Sequence, residues 1–220
     1  KWIGISMKHV IYENDFNDFL GNGFAADPLT GQLDSDYWLV TGFSDAADLA
    51  RGTTSTSVTT GGVYAFDRGD ANGTALYLQP GGPDFTPGEL DLRLNSGDTD
   101  LTDVELRFDR LVNNDQARAN AFSLSYSLDG VTFIELDAYA SPAAADANGV
   151  VSQRVAVSLP DLPAGTDFTL RWSGDDVSGS GSRDEFGIDN LVVEGTEPGT
   201  GARIQSKTGR SSSSAPVCDR

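Results

Sequence analysis

The sequence predicts an all-β chain folded as a two-sheet antiparallel β-sandwich of jelly-roll type. Three observations predict it. Apolar residues alternate with polar ones at period two in five separate stretches, the pattern of strands with one buried and one wet face. Turn signals separate those stretches. No stretch sustains the 3.6-residue period of an amphipathic helix, and "SDAADLARG" and "SPAAADAN" offer a single helical turn each.

The stretches run in order. Leu90, Leu92 and Leu94 share one strand face. Val104, Leu106 and Phe108 share another, with Glu105, Arg107 and Asp109 opposite. Phe122, Leu124, Tyr126 and Leu128 repeat the pattern, then Val155, Val157 and Leu159, then Phe168, Leu170 and Trp172. "SLDGVTF" is a hairpin signal, because Asp129-Gly130 favours the positive-φ turn that matches strand twist. "DANGTAL" and "DANGVV" carry Asn-Gly in the same role, and "LPDLPAG" and "PGGPDFTPGE" are proline-rich connections. With no internal repeat, about ten short strands in one unit fit a sandwich. The folded unit is placed at 9–196. Residues 1–8 read as an arm, and the Ser/Gly-rich stretch 197–220 as a flexible tail or linker.

Composition narrows the function. The chain has 220 residues and a net charge of −18, while residues 9–196 alone carry −22 and no lysine. A body this acidic repels phosphate backbones, so no nucleic-acid partner is expected. No apolar run approaches the ~20 residues of a membrane-spanning helix, so no membrane insertion is expected. Trp2 to Met7 is too short for the apolar core of a signal peptide, so a secreted form would already have lost its signal. The single cysteine, Cys218, excludes an internal disulfide, and the single histidine, His9, argues against a zinc site or a Ser-His-Asp triad.

Candidate site residues cluster in "RWSGDDVSGSGSRDEFGIDN", residues 171–190. Asp175, Asp176, Asp184 and Glu185 flank a Ser-Gly loop, with Arg171 and Arg183 nearby. Carboxylates that accept from sugar hydroxyls, an arginine that donates and the flat face of Trp172 would suit a polyol. Alternatively Trp172 is core, in phase with Phe168 and Leu170, and the acids cap a turn or pair with Arg183. Asn114, Asp115 and Arg118 in "VNNDQARAN" either join that ligand surface or bond to backbone in a turn. Asp189 sits in an apolar run, where a carboxylate needs a partner. If the first and last strands pair, Glu13 or Asp15 approaches Asp189, and these oxygens suit a structural Ca²⁺. The alternative is that Asp189 bonds to backbone N–H groups or an arginine. Arg68-Gly69-Asp70 matches an adhesive tripeptide, but Asn72-Gly73 already explains it as a hairpin turn.

The chain resembles a β-sandwich accessory module of secreted and surface proteins of bacteria, including multidomain extracellular nucleases. The resemblance rests on "IYENDFNDF", "GQLDSDYWLVTGFSD", "TTGGVYAFDRG", "DFTPGELDLRLNSG", "NDQARANAFSLSYSLDG", "YASPAAAD" and "LRWSGDDVSGSGSRDEFGIDNLVV". The opening aromatic-acid segment, Trp38 and the closing "IDN" are also similar to MAM-type jelly rolls. The resemblance implies a non-catalytic, extracellular or cell-surface module beside other domains of a larger secreted protein, with Glu13 or Asp15 and Asp189 on a structural cation. The resemblance carries no ligand over; the all-β patterning, the acidic lysine-free body and the closing motif lead to the expectation of glycan or surface binding, or domain positioning. Two other classes stay open: a self-assembling surface or filament subunit joined through the arm or the tail, and a hydrolase using carboxylates of the 175–185 loop.

Overall fold

The computed structural model describes residues 7–45, 49–69 and 73–199. The arm up to residue 6, residues 46–48 of the first possible helical turn, Asp70 of the tripeptide and the tail from 200 onward lie outside the described residues. The described residues form fourteen β-strands and no helix, so the expected β-sandwich is the observed fold. Among them no helix is long and apolar enough to cross a membrane.

One sheet has seven strands. Its path runs β12 (Val150–Ser158), β9 (Thr102–Asn113), β14 (Glu185–Glu197), β7 (Thr74–Gln79), β6 (Gly62–Asp67) and β5 (Ala50–Thr54), with β1 (Met7–Asn14) also beside β14. The second sheet has five, in the order β11 (Ile134–Asp137), β10 (Arg118–Ser127), β13 (Asp167–Gly179), β8 (Gly88–Asn95) and β4 (Trp38–Thr41). A short pair, β2 (Phe19–Ala25) and β3 (Gly31–Asp34), forms a two-stranded sheet of its own. Pairing is antiparallel except between β2 and β3 and between β5 and β6, which are parallel.

The first and last strands pair, and they do so over half of β14 only. One edge of β14 meets β9, from Glu185↔Asn113 to Thr196↔Thr102. The other edge meets β7 through Phe186, Gly187 and Ile188, then β1 from Leu191 to Glu197. The handover falls at Asp189 and Asn190, where the β9 register also slips and Asn190 takes φ 48°. Asn tolerates this left-handed conformation better than most residues. β1 begins at Met7, so two residues of the expected arm belong to the sheet.

The alternating faces meet between the two sheets. Leu90, Leu92, Leu94, Val104, Leu106, Phe108, Phe122, Leu124, Phe168, Leu170 and Trp172 are all buried in one core. Trp172 is fully buried, stacks on Trp38 at 6.2 Å and meets Phe108 edge-on at 5.5 Å. Full burial of each large apolar side chain stabilises the fold by ~1.5–3 kcal/mol. Gly88 and Gly174 form a slot for the Phe85 ring, which lies 2.3 Å from where a Cβ would stand at either position. Three sequence expectations change. Leu128 lies beyond the end of β10 and is exposed, in a longer connection to β11 than Asp129-Gly130 implied. "SPAAADAN" forms no helix; its backbone is tied to the neighbouring loop by Asp146 N–H to Asn114 C=O, 2.7 Å. "GDDVSG" is strand rather than loop, because β13 keeps pairing with β10 as far as Arg118↔Gly179.

Candidate functional site

The residues expected to form a polyol-binding loop are brought to one end of the sandwich, where three of the seven are buried and the others half-buried or exposed. Arg183 is buried and grips Asp176 with two parallel bonds, Nε to Oδ1 at 2.7 Å and Nη2 to Oδ2 at 2.8 Å. Arg118 bonds the same carboxylate. The Arg183 bonds, seconded by Arg118 and opposed by partial burial, hold the Asp176 carboxyl below its usual range. Asn114 is buried, with its amide nitrogen on Ala144 C=O (2.9 Å) and Asp146 Oδ2 (3.1 Å). Half-buried Asp115 accepts from Gln116 Nε2, and exposed Asp175 accepts from the backbone N–H of Asp176. Asp184 is fully buried and accepts from Gln116 N–H at 3.1 Å. Among the seven candidates only Asp175 is exposed. Two parts of the alternative reading are thus present: Asp176 pairs with Arg183, and Trp172 is core.

Glu185 belongs to the same end and is buried between Val58 N–H (2.8 Å) and Asn113 Nδ2 (3.1 Å). Burial pushes its carboxyl up to about 7, with the negative charge of Asp115 adding to the rise.

Asp189 is also fully buried, and its partner is an arginine. Arg68, just past the end of β6, pairs with Asp189 Oδ2, while Asn190 N–H donates to Oδ1 at 2.7 Å. Burial raises the Asp189 carboxyl and the Arg68 bond opposes the rise. Glu13 and Asp15 are exposed, and Asp15 folds back on Asn17 N–H and Nδ2. In place of the expected Glu13 or Asp15, the side chain that Asp189 meets is that of Arg68. Among the described residues no group of three or more His, Cys, Asp or Glu side chains stands ready for a metal. The physical reason is that a guanidinium already compensates the buried charge.

Glu13 and Asp15 instead line an open cleft of about 830 Å³ at the β1 edge of the sandwich. Its walls come from β1, the β2–β3 pair, the turn before β4, β12 and β14, and include Tyr12, Asp18, Gln32, Asp34, Tyr37 and Arg154. The Tyr12 and Tyr37 rings lie 5.6 Å apart, tilted by 45°. Tyr37 is 42% exposed. Tyr12 Oη accepts from Trp38 Nε1 (2.8 Å) and Asn14 Nδ2 (3.2 Å), which leaves its own proton for an acceptor. Burial raises the Tyr12 phenol pKa, so that proton stays in place at neutral pH. Aromatic faces beside carboxylates, an amide and a guanidinium form a surface with both flat apolar and hydrogen-bonding parts. Sequence reasoning missed this site. The signal present was "IYENDFNDF" with "DSDYW", two aromatic-acid segments whose meeting depends on the fold.

No family model matches the chain, and no curated protein matches it. Solved structures do. The K3 cleaved adhesin domain of Lys-gingipain from Porphyromonas gingivalis W83 superposes with TM-score 0.51 at 15% identity, over 86% of this chain and 99% of that one. A mannan-recognising carbohydrate-binding module, TmCBM27, matches with TM-score 0.46 at 12% identity over 86% and 98%. The xylan-binding CBM22-1 domain from Paenibacillus barcinonensis Xyn10C matches with TM-score 0.45 at 9% identity over 88% and 97%. At these identities the likeness extends to the fold, and the chain shares a β-sandwich with the gingipain adhesin domain.

Proposed function

We propose that this protein is a non-catalytic glycan-binding module acting outside the cell or on its surface. The observation that carries the reading is the Tyr12–Tyr37 cleft. It is open, about 830 Å³ in volume, and lined by two tyrosines, the carboxylates of Asp18 and Asp34, and Arg154. In such a cleft the tyrosine rings pack against the apolar face of a pyranose while carboxylates accept from its hydroxyls and Arg154 donates. The adhesin domain of the gingipain supports a surface-binding role by fold analogy, which is weaker support than the site itself. As an accessory module the protein would hold neighbouring domains of a larger secreted protein near their polymer.

A glycan array followed by calorimetry on the best ligand tests this. Binding to one glycan class, weakened tenfold or more by Tyr37→Ala with the melt unchanged, is the expected result. Silence across the array, or a Tyr37→Ala variant that binds as well as the parent, would remove glycan binding at this cleft.

A further inference from the structure

Eight buried side-chain nitrogen and oxygen atoms lack a hydrogen-bond partner among the described residues, and six belong to one end of the sandwich. They are Tyr77 Oη, Gln79 Oε1, Asn114 Oδ1, Asn120 Oδ1, Asp184 Oδ2 and Arg118 Nε. Five of the six are oxygens, at the end where the connection from β9 to β10 runs beside the connection from β13 to β14. Native proteins rarely leave such groups unpaired, so a concentration of them points to something bound.

The oxygens nearest the charge are tied into one junction. The strand register Glu185↔Asn113, extended by one residue, sets Asp184 opposite Asn114. Gln116 N–H holds Asp184 Oδ1. The Ser141 hydroxyl faces the Asp184 carboxylate and also accepts from Asn120 N–H at 3.1 Å. Both asparagines have their amide orientation fixed: Asn114 Nδ2 donates to Ala144 C=O and Asp146, and Asn120 Nδ2 donates to Asp176 Oδ1 at 3.2 Å. Their remaining groups are acceptors.

No side-chain cation answers the Asp184 charge. Arg183 and Arg118 are both engaged by Asp176, and Arg110 is engaged by Asp137 and Gln153. Residues 9–196 contain no lysine. Asp115 and Asp146 make the local potential more negative still, adding to the burial that raises the Asp184 carboxyl. Ordered water would satisfy the two amide oxygens but would not neutralise a buried carboxylate.

We propose that this end of the sandwich binds a hard divalent cation of the calcium class, with Asp184 Oδ2, Asn114 Oδ1 and Asn120 Oδ1 as protein ligands. Ca²⁺ takes six to eight oxygens in flexible geometry. The Ser141 hydroxyl and water complete the shell, and Asp115 and Asp146 contribute charge from just outside it. The ion bridges β10, the segment from Ser141 to Asp146 and the start of β14, so its role is to lock the loops at this end. It is separate from the Tyr12–Tyr37 cleft and from the Arg68–Asp189 pair.

Calorimetric titration of the chelator-stripped protein with CaCl₂, alongside melts in Ca²⁺ and in EDTA, tests the assignment. Saturable binding of one ion is expected, with a midpoint about 5–10 °C higher at a hundredfold excess over the Kd. Asp184→Asn abolishes the binding heat, and Asp146→Asn weakens affinity about tenfold. Equal midpoints in Ca²⁺ and EDTA with no binding heat would overturn the proposal without any variant. Binding that survives Asp184→Asn unchanged would overturn it too, by placing the ion elsewhere.

Discussion

Asp184 and Asp189 lie at the two ends of one buried run of chain, and each is fully shielded from solvent. They differ in what faces them. Asp189 meets Arg68 at the point where β14 changes neighbours. Asp184 meets a serine, a backbone N–H and the negative potential of two more aspartates. The two carboxylates show that burial sets a demand for charge compensation, and the surrounding side chains decide whether the protein or a ligand meets it.

The largest expected effect breaks the satisfied member of this pair. Arg68→Ala leaves Asp189 charged, buried and unpaired, and should cost about 3–5 kcal/mol in urea unfolding at pH 7. The Asp189 carboxyl lies above its ordinary value in the folded protein. Its contribution to stability is therefore greatest in acid and is lost as pH rises through the folded pKa. Losing Arg68 raises that pKa further, so the deficit should shrink between pH 8 and pH 5. A deficit independent of pH would show that Arg68 acts through packing alone.

Next in size is the contrast between the two Asp→Asn variants in EDTA. Asp189→Asn abandons Arg68 and should cost about 1–3 kcal/mol. Asp184→Asn removes a charge with no cationic partner and should change stability by less than about 0.5 kcal/mol or raise it. Equal losses would mean that both sites are satisfied in the same way. Tyr37→Ala comes third. It removes an exposed ring from the cleft and should leave chain stability within about 0.5 kcal/mol while lowering glycan affinity.

The smallest effect concerns a third acid on β14. Glu194 pairs with Lys8 at 2.9 Å and with Arg107 at 3.0 Å on the wet side of the strand. The bond from Lys8 holds its carboxyl below the ordinary value, with Arg107 assisting and slight burial opposing. A depressed carboxyl stabilises above its unfolded pKa and loses that contribution as pH falls through the folded one. Glu194→Gln should therefore cost a few tenths of a kcal/mol at pH 7, the scale of surface ion pairs, and progressively less as pH falls below the ordinary carboxylate range. Its cost should also fall in high salt, unlike that of Arg68→Ala.

The sandwich was legible because period-two alternation is local: Leu90 to Leu94 and Phe168 to Trp172 declare a buried face without reference to anything distant. Trp172 as core followed from the same phase. The partner of Asp189 was legible only as a class, since Arg68 stands 121 residues away in the chain. Asp184 read as the flank of a polar loop because a Ser-Gly run, residues 178–182, comes just before it. The structure buries it because β13 runs on to Gly179, leaving a short turn back into β14. The Tyr12–Tyr37 cleft was illegible for a different reason. Its walls come from separate stretches of chain, and no single stretch carries a pattern that names it.

The divided edge of β14 also has a consequence for how the molecule is made. Half of that edge is covered by β1, the first of the described strands, and β14 is the last. On a ribosome β1 emerges before the rest of this body and has no partner until nearly the whole body has been synthesised. Closure of the sheet is thus a late, long-range event, of the kind that slows folding and leaves unpaired strand exposed in the interval. An early strand carrying Lys8, His9 and Glu13 among its apolar residues is poorly suited to sticking to other nascent chains while it waits.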